Sequence, residues 1–112
     1  MTLEKIKEEF VDKSSRHLEA TLEGDSKTGN KLHSKLMKLY EKIKRQDNLQ
    51  VFLELLKHPN EGVRLWAATF SLTVNTQLAI ECLKDLTKLD TITALTAETT
   101  LKVWQEGELE LL

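Results

Sequence analysis

The sequence contains few of the residues that cross-link or break a chain: among 112 residues there are one cysteine, one proline and four glycines. A single cysteine excludes an intrachain disulfide framework. With 40% hydrophobic and 30% charged residues, the composition favours a folded, helix-rich protein over a disordered chain. Length and composition therefore predict a single domain that spans residues 1–112.

Long apolar runs are also missing. No stretch approaches the roughly 18 uninterrupted apolar residues of a membrane-spanning helix. Residues 1–9 carry charges where a signal peptide needs an apolar run. We therefore expect a protein of the cytoplasm that does not interact with membranes.

The pattern of apolar residues is helical throughout. No alternating strand pattern and no Asn-Gly or Asp-Gly hairpin turn occurs, whereas apolar residues recur with a 3.6-residue period. Pro59 ends one helix and Asn60 is suited to cap the next, while either Asp25 or Ser26 is suited to cap the helix after Gly24. The sequence thus predicts helices over residues 2–22, 27–45, 49–57, 61–73, 77–88 and 93–106, with Leu78 and Leu95 among the inward-facing side chains.

An internal repeat relates the second half of the chain to itself. A shift of 30 residues places four apolar residues on four others: Leu53 on Leu83, Leu56 on Leu86, Leu65 on Leu95 and Ala67 on Ala97. With the first two helices, this makes three helical hairpins in succession, about the number that stacked repeats need for stability. The predicted fold is all-α, a short right-handed α–α superhelix of about three helical hairpins.

Three short segments carry a resemblance to known families. They are Glu23-Gly24-Asp25-Ser26, then His58-Pro59 followed by residues 63–68, and residues 97–101 with Trp104. On these residues the chain resembles the HEAT and armadillo superfamily, and more closely a small bacterial family known only as a domain of unknown function. This resemblance brings no catalytic residues. It also suggests an analogy with immunity proteins, small helical proteins encoded beside bacterial polymorphic toxins.

Motifs for catalysis and cofactors are weak. Residues 24–31 have the glycine spacing of a phosphate-binding loop, but Asn30 replaces its essential lysine and no strand precedes it. The three histidines and Cys82 show no metal-ligand spacing. A buried, apolar role for Cys82 is the preferred interpretation, although a Cys–His pair formed only in the fold stays open. We predict no catalytic residues, no metal and no cofactor.

The candidate partner-binding residues lie in the second half of the chain. In a stack of hairpins the second helices line a concave face, which would present Glu61, Arg64, Glu98 and Lys102 to a protein partner. Arg64 is open to a structural role as well, since an arginine here could reach carboxylates or carbonyls of the next hairpin. Trp104 is added because tryptophan is enriched in binding hot spots.

The charge distribution supports a second hypothesis. The net charge is −2, but residues 24–46 carry seven basic and two acidic side chains, a difference of +5. Six of the basic residues align on one helix face, and we call them the basic stripe: Lys27, Lys31, Lys35, Lys38, Lys42 and Arg45. They are either a solubilising surface or a binding surface for an acidic partner. The first hypothesis is therefore a non-enzymatic protein-binding module, such as an immunity protein that blocks a toxin, and the alternative is a nucleic-acid-binding protein.

Overall fold

The computed structural model describes residues 2–107, and within that range every regular element is a helix. The five α-helices are α1 (Leu3–Glu23), α2 (Ser26–Arg45), α3 (Glu61–Ser71), α4 (Thr76–Leu86) and α5 (Ile92–Gln105). A 3₁₀-helix, Leu49–Leu55, lies between α2 and α3. The all-α prediction is confirmed for these residues.

The predicted helix ends agree with the capping groups. Gly24 ends α1 in left-handed geometry, with φ of 71°. The carboxylate of Asp25 accepts a hydrogen bond from the Thr28 amide at 3.1 Å and so caps α2. Asn60 Oδ1 accepts from the amides of Gly62 and Val63, at 2.8 and 3.1 Å, and caps α3.

Several details of the helix prediction are wrong. The helices predicted to end at residues 73 and 88 end at Ser71 and Leu86. Residues 49–55 form a 3₁₀-helix in which Val51 and Phe52 are the buried residues. Leu78 is 45% exposed and Leu95 is 64% exposed. On α4 the buried face is formed by Ala79, Leu83 and Leu86, and on α5 by Thr93, Ala94 and Ala97, so both leucines lie off those faces.

Helix α3 is the central element. It packs against α1, the 3₁₀-helix, α4 and α5, while α2 packs on α1, and α4 on α5. In a regular stack of hairpins the second helix of the first hairpin, α2, would pack along α3. Here the helix of the first hairpin that packs along α3 is α1, and α2 reaches α3 through the stacked rings of Tyr40 and Phe70.

An aromatic cluster joins the first four elements. Tyr40 of α2 stacks on Phe70 of α3, with ring centroids 4.6 Å apart. Phe52 of the 3₁₀-helix lies 5.0 Å from Phe10 of α1 and 5.2 Å from Phe70. All four rings are at most 1% exposed. Such pairs contribute about 0.5–1.5 kcal/mol each beyond the burial of their area.

Gly62 allows α1 and α3 to approach closely. A Cβ atom at this position would lie 2.9 Å from Leu18 Cβ and 3.0 Å from the Ser14 carbonyl oxygen. The latter is backbone and cannot move without displacing α1. Position 62 therefore requires glycine.

We expect Gly62→Ala to destabilise the protein by about 1–3 kcal/mol, because the added methyl group forces the two helices apart. Gly29→Ala is the matched control on α2, where the nearest outside atom is Ala20 Cβ at 4.0 Å. There alanine should stabilise the helix by up to about 1 kcal/mol. Urea unfolding of both variants measures the difference, and equal effects of the same sign would contradict the close contact.

Candidate functional site

A groove of about 420 Å³ opens between the end of the 3₁₀-helix, α3 and α4. Leu56 and Lys57 follow the 3₁₀-helix, Arg64 belongs to α3, and Leu89 follows α4. The other lining residues belong to α4. We call it the Arg64 groove, lined by Leu56, Lys57, Arg64, Leu78, Glu81, Cys82, Asp85, Leu86 and Leu89.

Arg64 contributes the main polar group of this groove. Its Nε is buried and has no hydrogen-bond partner among residues 2–107. Within the same range, no ion pair shorter than 4.0 Å includes Arg64. A buried donor without an acceptor costs about 1–3 kcal/mol, and more when the group is charged. Within the described part of the chain, Arg64 Nε therefore lacks an acceptor, and the buried Ser71 Oγ also has no hydrogen-bond partner.

Cys82 lies beside Arg64 in the groove. Its Sγ is 3.6 Å from the Leu56 carbonyl oxygen, within reach of a weak hydrogen bond from the thiol. Burial raises the pKa of the Cys82 thiol, and the positive charge of Arg64 opposes this only in part. Because the neutral thiol is favoured, Cys82 lacks the activation that a nucleophilic cysteine needs.

The five residues predicted to contact a partner lie on two helices, α3 and α5. Arg64 alone lines the groove. Glu61 Oε1 accepts a hydrogen bond from Thr93 Oγ1 at 2.9 Å and so links α3 to α5. Glu98 and Lys102 are exposed on α5, and the partly buried Trp104 packs against the core.

Sequence reasoning missed Leu78, Glu81 and Asp85 as members of the site. The apolar period of α4 predicts that Leu78 faces the core, and no recognisable motif on α4 points to the two carboxylates. The i, i+3/i+4 spacing of Leu78, Glu81, Cys82 and Asp85 does place them on one face of α4. That face alone does not reveal which helix lies opposite it.

The basic stripe is exposed along the whole of α2. Its C-terminal half borders a shallow depression of about 500 Å³ formed by a single helix, with Met37, Lys38, Glu41, Lys42 and Arg45 as its walls. This surface lies on a different element from the Arg64 groove. The two hypotheses drawn from the sequence therefore concern separate surfaces.

Trp66 lies between two histidines. The rings of His17 from α1 and His33 from α2 approach it edge-on, with centroids 5.2 and 5.4 Å away. Burial lowers the pKa of His17, and repulsion from His33 lowers it further. The cluster therefore favours neutral His17 in the folded protein.

Neither a cluster of metal-ligating side chains nor a membrane-spanning helix occurs among residues 2–107. Among residues 2–107, no group of three or more histidine, cysteine or acidic side chains is arranged to hold a metal ion. None of the helices described is long and apolar enough to cross a membrane. The tail leucines 109, 111 and 112 lie outside the described residues.

We expect the free energy of unfolding to decrease as the pH falls below the ordinary histidine pKa of about 6.5. Because the pKa of His17 is lowered in the folded protein, the unfolded chain binds the proton more readily. Neutral His17 therefore stabilises the folded state in full above that pH, and this stabilisation is lost as the pH falls. His17→Gln should weaken this pH dependence in urea unfolding between pH 7.5 and 5. An unchanged dependence in the variant would show that another group is responsible.

The comparisons with known proteins identify a fold and a family. The crystal structure of the protein RPA1889 from Rhodopseudomonas palustris CGA009 superimposes with a TM-score of 0.88 at 24% identity, covering 98% of this chain and 93% of that one. At this identity the likeness shows the fold alone. No curated protein sequence matches the chain significantly. Residues 4–104 match the family described as Domain of unknown function (DUF2019), and the protein belongs to that family.

Proposed function

We propose that the protein is a non-enzymatic protein-binding module and that the Arg64 groove is its binding site. The observation that carries the proposal is Arg64, whose side chain lines an open groove while its buried Nε has no acceptor among residues 2–107. Exposed Leu78 and the half-buried Leu89 add apolar surface beside it. Apolar surface combined with a few well-placed polar groups is typical of sites that bind a ligand or a peptide segment.

The architecture is part of the same proposal. Consecutive helices pack as neighbours, α1 with α2, the 3₁₀-helix with α3, and α4 with α5. In our interpretation they form a short right-handed α–α superhelix of the HEAT and armadillo type, a class that mostly binds other macromolecules. By analogy with small helical immunity proteins, the partner would be a bacterial toxin that this protein blocks in the cytoplasm.

Nucleic-acid binding is the alternative function. It is supported by the exposed basic stripe on α2 and by the shallow depression beside Lys38 and Arg45. The formal net charge of −2 weighs against it, because nucleic-acid-binding domains are usually basic overall. Tyr40, which lies between Lys38 and Lys42 in the sequence, is buried and so offers no stacking surface for single strands.

Leucine substitutions on α4 and α5 distinguish the groove from the rest of the surface. We expect Leu78→Ser to weaken partner binding about tenfold or more, because Leu78 lines the groove. Leu95→Ser is the matched control: it removes an equally large apolar side chain that is 64% exposed and does not line the groove. Its effect should stay within about twofold. The measurement is affinity capture from the source cell after nuclease treatment, followed by titration of the captured protein.

Two results would contradict the proposal. If Leu95→Ser released the partner while Leu78→Ser did not, the binding surface would lie on α5. If only nucleic acid were recovered, and if it were lost at high salt and in the Lys35→Gln, Lys38→Gln double variant, the basic stripe would be the functional surface.

A further inference from the structure

The Arg64 groove contains charged residues of both signs that form no ion pair with one another among residues 2–107. Arg64 and Lys57 supply positive charge, and Glu81 and Asp85 supply negative charge from α4. Asp85 pairs with Lys88, at 3.7 Å between its Oδ1 and the lysine Nζ. Neither α4 carboxylate comes within 4.0 Å of the Arg64 guanidinium, since no such ion pair occurs in residues 2–107. The guanidinium therefore stays available to a ligand.

The Arg64 Nε–H group, which has no acceptor among residues 2–107, restricts which chemical groups a ligand must contain. Nε–H is a donor on a group that carries no acceptor, so the ligand must bring an oxygen acceptor. A planar guanidinium fits a carboxylate with two parallel hydrogen bonds, and such charge-assisted bonds are stronger than neutral ones. An acidic side chain satisfies both requirements.

The surroundings of Arg64 favour a carboxylate over a phosphate. Glu81 and Asp85 border the same groove, and their negative charges repel a phosphate dianion more strongly than a singly charged carboxylate. The three leucines of the groove that belong to α4 or follow it, Leu78, Leu86 and Leu89, offer contacts to a hydrocarbon group beside the anion. The volume of about 420 Å³ lies within the range of about 300–1,000 Å³ for ligand-sized pockets.

From these observations we infer that the Arg64 groove binds a protein segment in which an aspartate or glutamate lies next to a large apolar residue. The carboxylate pairs with the Arg64 guanidinium, and the apolar side chain rests on Leu78 and its neighbours. Basic residues farther along the segment would meet Glu81 and Asp85. This inference rests on the proposed function, because it names the partner chemistry of the same groove.

The test uses two blocked dipeptides that differ only in charge, N-acetyl-leucyl-glutamyl-amide and N-acetyl-leucyl-glutaminyl-amide. Each is titrated into the isotope-labelled protein while NMR follows the Arg64 Nε–Hε signal and the Leu78 methyl groups. We expect the glutamyl peptide to shift both signals, with the glutaminyl peptide binding about tenfold more weakly. Equal affinity of the two peptides would overturn the inference, even if both bound in the groove.

Variants locate the interaction on the guanidinium. Arg64→Gln should abolish the preference for the glutamyl peptide, and Arg64→Lys should retain only part of it, because an ammonium group lacks the planar fork. Arg16→Gln is the charge-matched control, since Arg16 is exposed on α1 outside the groove. Replacing Glu81 and Asp85 by their amides should strengthen binding of the glutamyl peptide.

The remaining outcomes separate the inference from the proposed function. If neither peptide shifted the Arg64 signal although partner capture depended on Leu78, the carboxylate inference would be wrong and the protein-binding proposal would stand. If the glutamyl peptide shifted signals along α2 instead, the inference would also be wrong. If capture did not depend on Leu78, the proposed function itself would fail.

Discussion

The close contact between α1 and α3 at Gly62 sets the position of the central helix. Because a Cβ atom there would lie 3.0 Å from the Ser14 carbonyl oxygen, the two backbones can be this near only at a glycine. The contact fixes α3, and α3 in turn contacts α1, the 3₁₀-helix, α4 and α5. Two residues along a helix amount to a rotation of about 200°. Arg64 therefore points away from α1, towards the groove that α4 borders.

This arrangement explains why the groove contains a charged donor without an acceptor. The aromatic cluster of Phe10, Tyr40, Phe52 and Phe70 fills the space between α1, α2, the 3₁₀-helix and α3. Arg64 lies outside that cluster, next to Cys82, and Asp85 is engaged by Lys88. A structural arginine would be expected to find an internal partner, since buried polar groups are nearly always satisfied. The lack of one within residues 2–107 is our reason to treat Arg64 as a binding residue.

Much of the fold could be predicted from the sequence, because helix periodicity and capping are local properties. Gly24, Asp25 and Asn60 marked helix ends by their own backbone and side-chain chemistry. The exposure of Leu78 and Leu95 could not be predicted in the same way, because it depends on which neighbouring helix covers each face. The groove depends on the same long-range packing. The position of Arg64 on its helix predicts a binding residue, whereas Glu81 and Asp85 belong to the groove only because α4 packs against α3. The need for glycine at position 62 likewise follows from the distance between two helices that are distant in sequence.

The most direct measurement is site-specific photocrosslinking in the source cell. A photoreactive phenylalanine derivative would replace Leu78 in one variant, Leu95 in a second and Lys35 of the basic stripe in a third. All three positions are exposed, so each substitution should be accommodated by the fold. If the Arg64 groove is the binding site, position 78 forms a discrete protein adduct, and Arg64→Gln in the same chain removes it. An adduct at position 95 or 35 with none at 78 would contradict a binding site in the groove.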